Sequence, residues 1–412
     1  MRLFKLNPEI RSYRKLLLLF IISTIILGCI EEFDFENEIF ESALVVDATI
    51  TNESKRQEVK LSKTYQFNEE NFENVPESNA RVKIKSNGQE FLFEEVEAGK
   101  YLSKEAFSAQ PTTNYILEIE TSNGNRYSSL PSQFTARTQL DDLYVQREVN
   151  DDGKDGVSVY VDSFDPSGNS IYYRYEFEET FKIIAPKWRK KDAVIISREF
   201  PKCSVSTVPR SDNVITCFRT EYSKGINVTT TEDLNEDRIE RHLVYFLSGD
   251  DYKISHRYST LVKQLVITEQ AYNYLKTISS FTKEGSLFSQ LQTGYLPGNI
   301  FSESNSNEKV IGYFQVASIS SKRVYFNYAD LFPNSPLPPY YTDCTPRAPN
   351  LFGDPDCSCC GEIMNFIDGN VLVYLEENMG EFPNGGPFSM VARACGDCTA
   401  IGNIEPPEFW VE

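Results

Sequence analysis

"ARVKIKSNGQEFLFEEV", Ala80 to Val96, is the stretch whose reading decides the fold of this chain. Val82 and Ile84 alternate with Arg81, Lys83 and Lys85, Asn87-Gly88 interrupts, and Phe91 and Phe93 resume the alternation. A period of two puts one set of side chains on one face of an extended strand. Asn-Gly supplies the positive φ angles that a two-residue hairpin turn needs. The stretch is therefore a β-hairpin with one apolar face, and a lone hairpin cannot bury that face. The pattern recurs in "NYILEIETSNGNRYSSL", where Tyr115, Leu117 and Ile119 share a face ahead of Asn123-Gly124, and "ALVVDATI" from Ala43 reads as an apolar strand. Several short strands over residues 42–135 predict an antiparallel sandwich of immunoglobulin-like size. Pro131 closes it, and "SQFTARTQ" reads as a linker.

A second, larger β-rich domain is expected over residues 136–332. Its strands are "LDDLYVQREV", "GVSVYVDSF", "SIYYRYEFEETF" and "RHLVYFLSG", by their Val, Tyr and Phe content. One segment breaks the period. In "TEQAYNYLKTISSFTKEG", Thr268 can cap a helix, with Gln270 near it, and Ala271, Tyr274, Leu275 and Ile278 recur three and four apart. That predicts a helix near 268–284 packed by this stripe, with Gly285 ending it. Residues 333–412 change character: "PNSPLPPYYTDCTPRAPNLFGDPDCSCCGE" is rich in Pro and Cys and poor in strand patterning. The segment is expected to pack on the second domain. The fold class is thus mainly β, with one or a few helices and a Cys-rich C-terminal extension.

The amino terminus places the protein. Five bases from Arg2 to Lys15, against Glu9 alone, precede the apolar run Leu16–Leu27. A bilayer-spanning helix needs about 20 apolar residues, so the run is too short to span and fits an export signal. Ile26-Leu27-Gly28-Cys29 resembles a bacterial lipobox. The resemblance implies cleavage after residue 28 and acylation of Cys29, which would tether the protein to the outer membrane. Residues 29–41 then form an acidic tether. The acids after Cys29 are similar to a surface-export tag, which implies a protein facing the exterior; a plain solvated linker is the alternative reading. Position 30 is Ile, not the Asp that marks inner-membrane retention in other systems.

The whole chain has net charge −19, and the basic leader makes the mature part more negative still. Nucleic-acid partners are excluded on this ground, since phosphate contacts rest on Lys and Arg. Nor does the overall charge suit an anionic membrane surface without the lipid.

Eight of the nine cysteines remain after Cys29: Cys203, Cys217, Cys344, Cys357, Cys359, Cys360, Cys395 and Cys398. An even count in an exported chain favours disulfides. Cys203 and Cys217 flank a loop with no third cysteine nearby in sequence and are expected to pair. The six tail cysteines allow 15 pairings. Structural zinc on the C-terminal cysteines, or a redox-active "CGDC", are the competing readings.

Catalysis is poorly supplied. His242 and His256 are the only histidines, both in strand-like context, and no GxSxG, HExxH or phosphate loop occurs. A carboxylate pair of the glycosidase kind stays open. "NDDGKDG", Asn150–Gly156, reads as an acidic hairpin turn ahead of a calcium loop. The abundant Tyr and Phe read as core packing. No cofactor is expected.

The order of "LVVDATITNESKRQEVKLSKTY", "AGKYLS", "SSLPSQF", "YFLSGDDYKISHRYSTLVKQLVITEQAYNYLKTI", "GNIFSESNSNEKVIGYFQVASISSKRVYF" and a terminal "CGDC" and "PPEFW" resembles domain-of-unknown-function family 4249, Gram-negative outer-membrane lipoproteins. The resemblance spans nearly the whole mature chain, with Gly312-Tyr313-Phe314 and the cysteine tail its more specific parts. It implies an amino-terminal sandwich similar to carboxypeptidase-regulatory-like domains and a place beside TonB-dependent transporters. It brings no catalytic residues. The expected function is a binding or accessory component of a TonB-dependent uptake system, with the ligand unknown. An adhesive or structural surface lipoprotein, and a carboxylate-based surface hydrolase, are the alternatives.

Overall fold

Alternation in the first half of the chain becomes nine strands: β1 (Leu44–Thr51), β2 (Glu58–Lys63), β3 (Val75–Pro76), β4 (Arg81–Ser86), β5 (Gln89–Glu97), β6 (Lys100–Ser103), β7 (Asn114–Glu120), β8 (Arg126–Ser129) and β9 (Ser132–Gln133). The computed structural model describes residues 42–64, 75–133, 137–283, 296–353 and 361–412. The leader, the acidic tether with Cys29, and Cys357, Cys359 and Cys360 lie outside the described residues. In the β4–β5 hairpin Ser86 pairs with Gln89, and Asn87 and Gly88 take φ of 46° and 79°. This is the two-residue turn that Asn-Gly specifies.

The second half adds β10 (Leu140–Val149), β11 (Asp155–Phe164), β12 (Tyr172–Ile184), β13 (Lys191–Ser197), β14 (Ser204–Pro209), β15 (Thr216–Tyr222), β16 (Asn227–Thr230), β17 (Arg238–Ser248) and β18 (Arg257–Ile267). Then come α1 (Glu269–Lys283), β19 (Ile300–Ser302), β20 (Val310–Asn327), α2 (Tyr328–Leu331), α3 (Glu362–Asp368), β21 (Leu372–Glu377), β22 (Phe388–Ala392) and α4 (Arg393–Gly396). The fold is mainly β, with several sheets and few helices.

β20 organises the molecule. Its first half, Val310–Ala317, runs parallel to β1, and its second half pairs antiparallel with β18. One strand thus belongs to two bodies. In the first, the sheet order β20-β1-β2-β6-β5-β4-β7-β8-β19 wraps a core that includes Val46, Ile50, Leu61, Ile84, Tyr101, Leu117 and Phe314. The Asn299 side chain adds a pseudo-strand contact: its Nδ2 donates to the Phe314 carbonyl and its Oδ1 accepts from the Phe314 N–H, both at 2.8 Å.

Gly312-Tyr313-Phe314 is an architectural element here. Gly312 has φ +126°, and a Cβ there would lie 1.9 Å from the Val46 carbonyl oxygen. Its N–H donates to the Tyr274 hydroxyl at 3.0 Å, Tyr313 rests on the Tyr274 ring, and Phe314 is fully buried.

In the second body, β15 and β16 pair with opposite halves of β12, and β12-β18-β20 continue the sheet. It faces the three-stranded sheet β10-β11-β17. Tyr173, Tyr175, Val159, Val161, Val262 and Val266 fill one end of the space between them, and Phe181, Ile183, Tyr258 and Phe326 the other. Helix α1 covers Leu265, Ile267 and Ala317 with Ala271 and Tyr272. Thr268 caps it as expected, its Oγ1 accepting from the Ala271 N–H at 3.2 Å. Gly285 lies outside the described residues. No helix among the described residues is long and apolar enough to cross a membrane.

The C-terminal segment is not coreless. Helix α3 and the β21–β22 ribbon bury Ile363, Met364, Leu372, Tyr374, Phe388 and Met390 against Ala193, Ile195 and Val205 of the β13–β14 hairpin. Part of that core, Ala193, Ile195, Cys203 and Val205, comes from far back in the chain, so the tail's own sequence could not show it.

Candidate functional site

The cysteines were the sharpest chemical signal in the sequence, and the structure corrects their pairing. Cys217 bonds to Cys398, not to Cys203, and Cys344 bonds to Cys395. Cys203 is also disulfide-bonded, to a partner outside the described residues. The cause is geometric. Cys217 lies on β15 opposite Ile183 and points into the core between the two sheets, whereas Cys203 sits in the separate core of the β13–β14 hairpin. The strap after α4 runs beside β15, where Phe218 and Asn403 exchange backbone hydrogen bonds of 2.7 and 2.8 Å.

The two cysteines of "CGDC" therefore reach different partners. Neither is free to bond the other in a redox cycle, and neither offers a thiolate to zinc. Among the described residues no group of three His, Cys, Asp or Glu side chains could hold a metal. Between the two sulfurs Asp397 is 7% exposed and acts as a hub. Its Oδ1 accepts from the Thr399 N–H and hydroxyl at 2.9 and 2.6 Å, and its Oδ2 faces Arg393 at 3.3 Å and Arg210 at 3.5 Å. Arg210 also donates to the Gly396 carbonyl at 2.9 Å. This is a staple: a buried carboxylate held by Thr399, Arg393 and Arg210 ties the end of β14 to α4.

Both histidines are embedded. His242 stacks on Tyr175 with ring centroids 4.8 Å apart, and its Nε2 lies 3.0 Å from Asn227 Oδ1. Asn227 Nδ2 donates to the Leu243 and Val244 carbonyls, which fixes the amide and leaves its oxygen facing the ring. Nε2 therefore carries the proton. Burial pushes the pKa of His242 down to about 4, so it is neutral at pH 7. Burial, helped by Lys182, also lowers that of His256.

The strongest buried carboxylate arrangement is an ion network. The Lys253 ammonium lies 2.7 Å from Glu179 and 2.8 Å from Glu221. The Tyr258 hydroxyl donates to Glu179 at 2.5 Å and lies 3.1 Å from that of Tyr245, and Arg219 pairs with Glu221 at 2.8 Å. Burial opposes the charge on Lys253, but hydrogen bonds to Glu179 and Glu221 outweigh it and hold its pKa above the ordinary lysine value. Both carboxylates are committed to the cation. Asn150–Gly156 is a hairpin turn: Asn150 Oδ1 accepts from the N–H groups of Asp152 and Lys154, with Gly153 at φ +76°.

Two clefts remain. The larger, about 990 Å³, lies over β4, β5 and β7. Its walls are charged but laced across strands: Lys83 to Glu90 and Glu118 at 2.9 and 3.3 Å, Lys85 to Glu118 at 2.6 Å. Such pairs support the sheet and leave little net field. The other, about 600 Å³, lies between Arg147, Asp155, Phe332 and the Pro336–Pro339 segment. Arg147 stacks 4.3 Å from the Phe332 ring centre and makes two hydrogen bonds to Asp155, at 3.0 and 2.6 Å. Tyr101, Tyr173, Tyr175, Tyr258 and Phe181 are fully buried, as the core reading of the aromatics requires.

Fold and cysteine framework together define a mainly β, multi-sheet protein with a disulfide-stapled C-terminal module. The chain belongs to the family described as Domain of unknown function (DUF4249), which matches residues 30–323. The match ends inside β20, so the cysteine tail, read from the sequence as one of the family's specific parts, lies beyond it. No curated protein matches the chain significantly. What the sequence reading missed is the Glu179–Lys253–Glu221 network and the Asp397 hub, whose members are scattered along the chain with no common spacing.

Proposed function

We propose that this protein is an outer-membrane lipoprotein, anchored through Cys29 and facing outward, that serves as a binding or accessory component of a TonB-dependent uptake system. The observation that carries the export half of this reading is the cysteine chemistry. Every mature cysteine among the described residues is in a disulfide, and such bonds persist in oxidising compartments and are rare in reducing ones. The Ile26–Cys29 sequence supports lipid attachment, and two or more acyl chains hold a protein on a bilayer stably. Family membership supports the accessory role by resemblance.

The binding role draws support from how the polar groups are used. The histidines are neutral and embedded, and the Glu179 and Glu221 carboxylates are paired with Lys253, Glu221 also with Arg219. The test is purification of the lipidated protein from detergent-solubilised membranes. Co-elution of a TonB-dependent barrel is expected. Recovery alone, with surface retention intact, would favour a structural or adhesive role instead. Cys29→Ala should abolish incorporation of labelled palmitate; unchanged labelling would remove the anchor from the account.

A further inference from the structure

The β13–β14 hairpin departs from the rest of the chain in charge. Between Lys187 and Arg210 there are seven bases and two acids, in a protein of net charge −19. Four of the bases, Lys187, Arg189, Lys190 and Lys191, surround Trp188 at the turn leading into β13. The ion pairs of the segment are Arg198 with Asp368 and Arg210 with Asp192 and Asp397. Lys187, Arg189, Lys190, Lys191 and Lys202 form no ion pair among the described residues.

The hairpin also carries exposed apolar side chains. One face, Ala193, Ile195 and Val205, is spent on the module's core. The opposite face carries Val194 and, across from Asp192, Val208, which is 40% exposed. Ile196, at the register shift before Ser197, is 63% exposed, and Phe200 in the connecting loop is 67% exposed. A strand of this length spans about 20 Å. Apolar groups thus run along the hairpin between Lys190 and Lys191 at one end and Lys202 at the other.

The frame beneath is rigid. The Lys187 N–H donates to the Cys395 carbonyl at 2.8 Å, and Arg189 Nε donates to the Leu375 carbonyl at 3.1 Å. Both acceptors belong to the disulfide-stapled module.

We propose that this hairpin is a membrane-contact element that rests on an anionic phospholipid surface, with Ile196 and Phe200 entering the headgroup boundary and the lysines lying against phosphates. Charge complementarity selects the occupant. The rest of the chain is repelled by such a surface, so the hairpin sets which face turns toward it. Apolar residues bounded by cations match a layer whose phosphates overlie hydrocarbon. This contact goes beyond the lipid anchor and does not need it.

The test uses residues 30–412, which contain every described element, with no acyl chain. Co-sedimentation is measured with vesicles of phosphatidylcholine alone and of phosphatidylcholine with phosphatidylglycerol. Binding is expected only to the anionic vesicles and should fall steeply with added salt. Removal of a surface lysine should cut partitioning about fivefold, so K187Q/K190Q/K191Q should lose about a hundredfold. Ile196→Ser with Phe200→Ser should weaken binding with the salt dependence retained. Thermal unfolding of each variant should match the parent, since none of these side chains is in the core. Equal binding of parent and triple variant, or no binding of the parent to anionic vesicles, overturns the proposal. Tighter binding to soluble polyglutamate than to the vesicles does so too, and would assign the surface to an acidic protein.

Discussion

Removing the Cys217–Cys398 bond tests the structure where it departs furthest from the reading of the sequence. The two cysteines are 181 residues apart and both fully buried. Cross-linking so long a loop removes about 5 kcal/mol of loop-closure entropy from the unfolded chain. The Cys344–Cys395 bond and the bond made by Cys203 both shorten that loop, but the dependence is logarithmic, so about 4 kcal/mol remains. Cys217→Ala with Cys398→Ala should therefore lose about 4 kcal/mol by this argument. The assay is guanidinium unfolding without reductant, followed by tryptophan fluorescence. Trp410 packs edge-on against Phe218, at 5.0 Å between centroids, next to the missing bond. A variant within about 1 kcal/mol of the parent would refute the reasoning. So would alkylation of Cys217 and Cys398 in the unreduced parent, since that would mean the bond does not exist.

Lys253→Met leaves Glu179 buried without its cation and should destabilise by about 3–5 kcal/mol, read by the same unfolding assay. Lys253→Arg should recover part of it, which separates charge from packing. Gly312→Ala should cost more than the ordinary 1 kcal/mol of a Gly replacement, because the new Cβ meets the Val46 carbonyl at 1.9 Å on a backbone with φ +126°; a thermal melt unchanged from the parent would contradict that geometry. His242 predicts a pH effect with a definite sign. Its folded pKa, about 4, lies below the unfolded 6.5, so its contribution is complete above pH 6.5 and declines as pH falls toward 4, by about 3 kcal/mol at most. His256 adds the same sign. His242→Gln should flatten stability between pH 4 and 6.5 relative to the parent, and an unchanged slope would show that His242 is not the group titrating.

The basic hairpin was visible in part. "KWRKK" at Lys187–Lys191 stands out in an acidic chain, yet its meaning needed the ion-pair census and the exposure of Ile196 and Phe200, both of which depend on neighbours. The cysteines teach the same lesson. Cys203 and Cys217 are near in sequence, but they occupy different cores, and proximity along the chain does not set distance in space. The tail's poverty in strand patterning has a related cause: Ala193, Ile195 and Val205 supply part of its core from an earlier hairpin.

What the sequence by itself determined was local: the period of two, the Asn87-Gly88 turn, the Thr268 cap, and hence a mainly β chain with a helix where the period changes. These depend on φ, ψ and side-chain spacing within a few residues. What only the tertiary structure decided was partnership: β1 beside β20, Cys217 with Cys398, Lys253 between Glu179 and Glu221. Many strands offer similar apolar faces and equal backbone hydrogen bonds, so their own residues do not name the neighbour. The choice falls to simultaneous burial and loop closure across the whole chain.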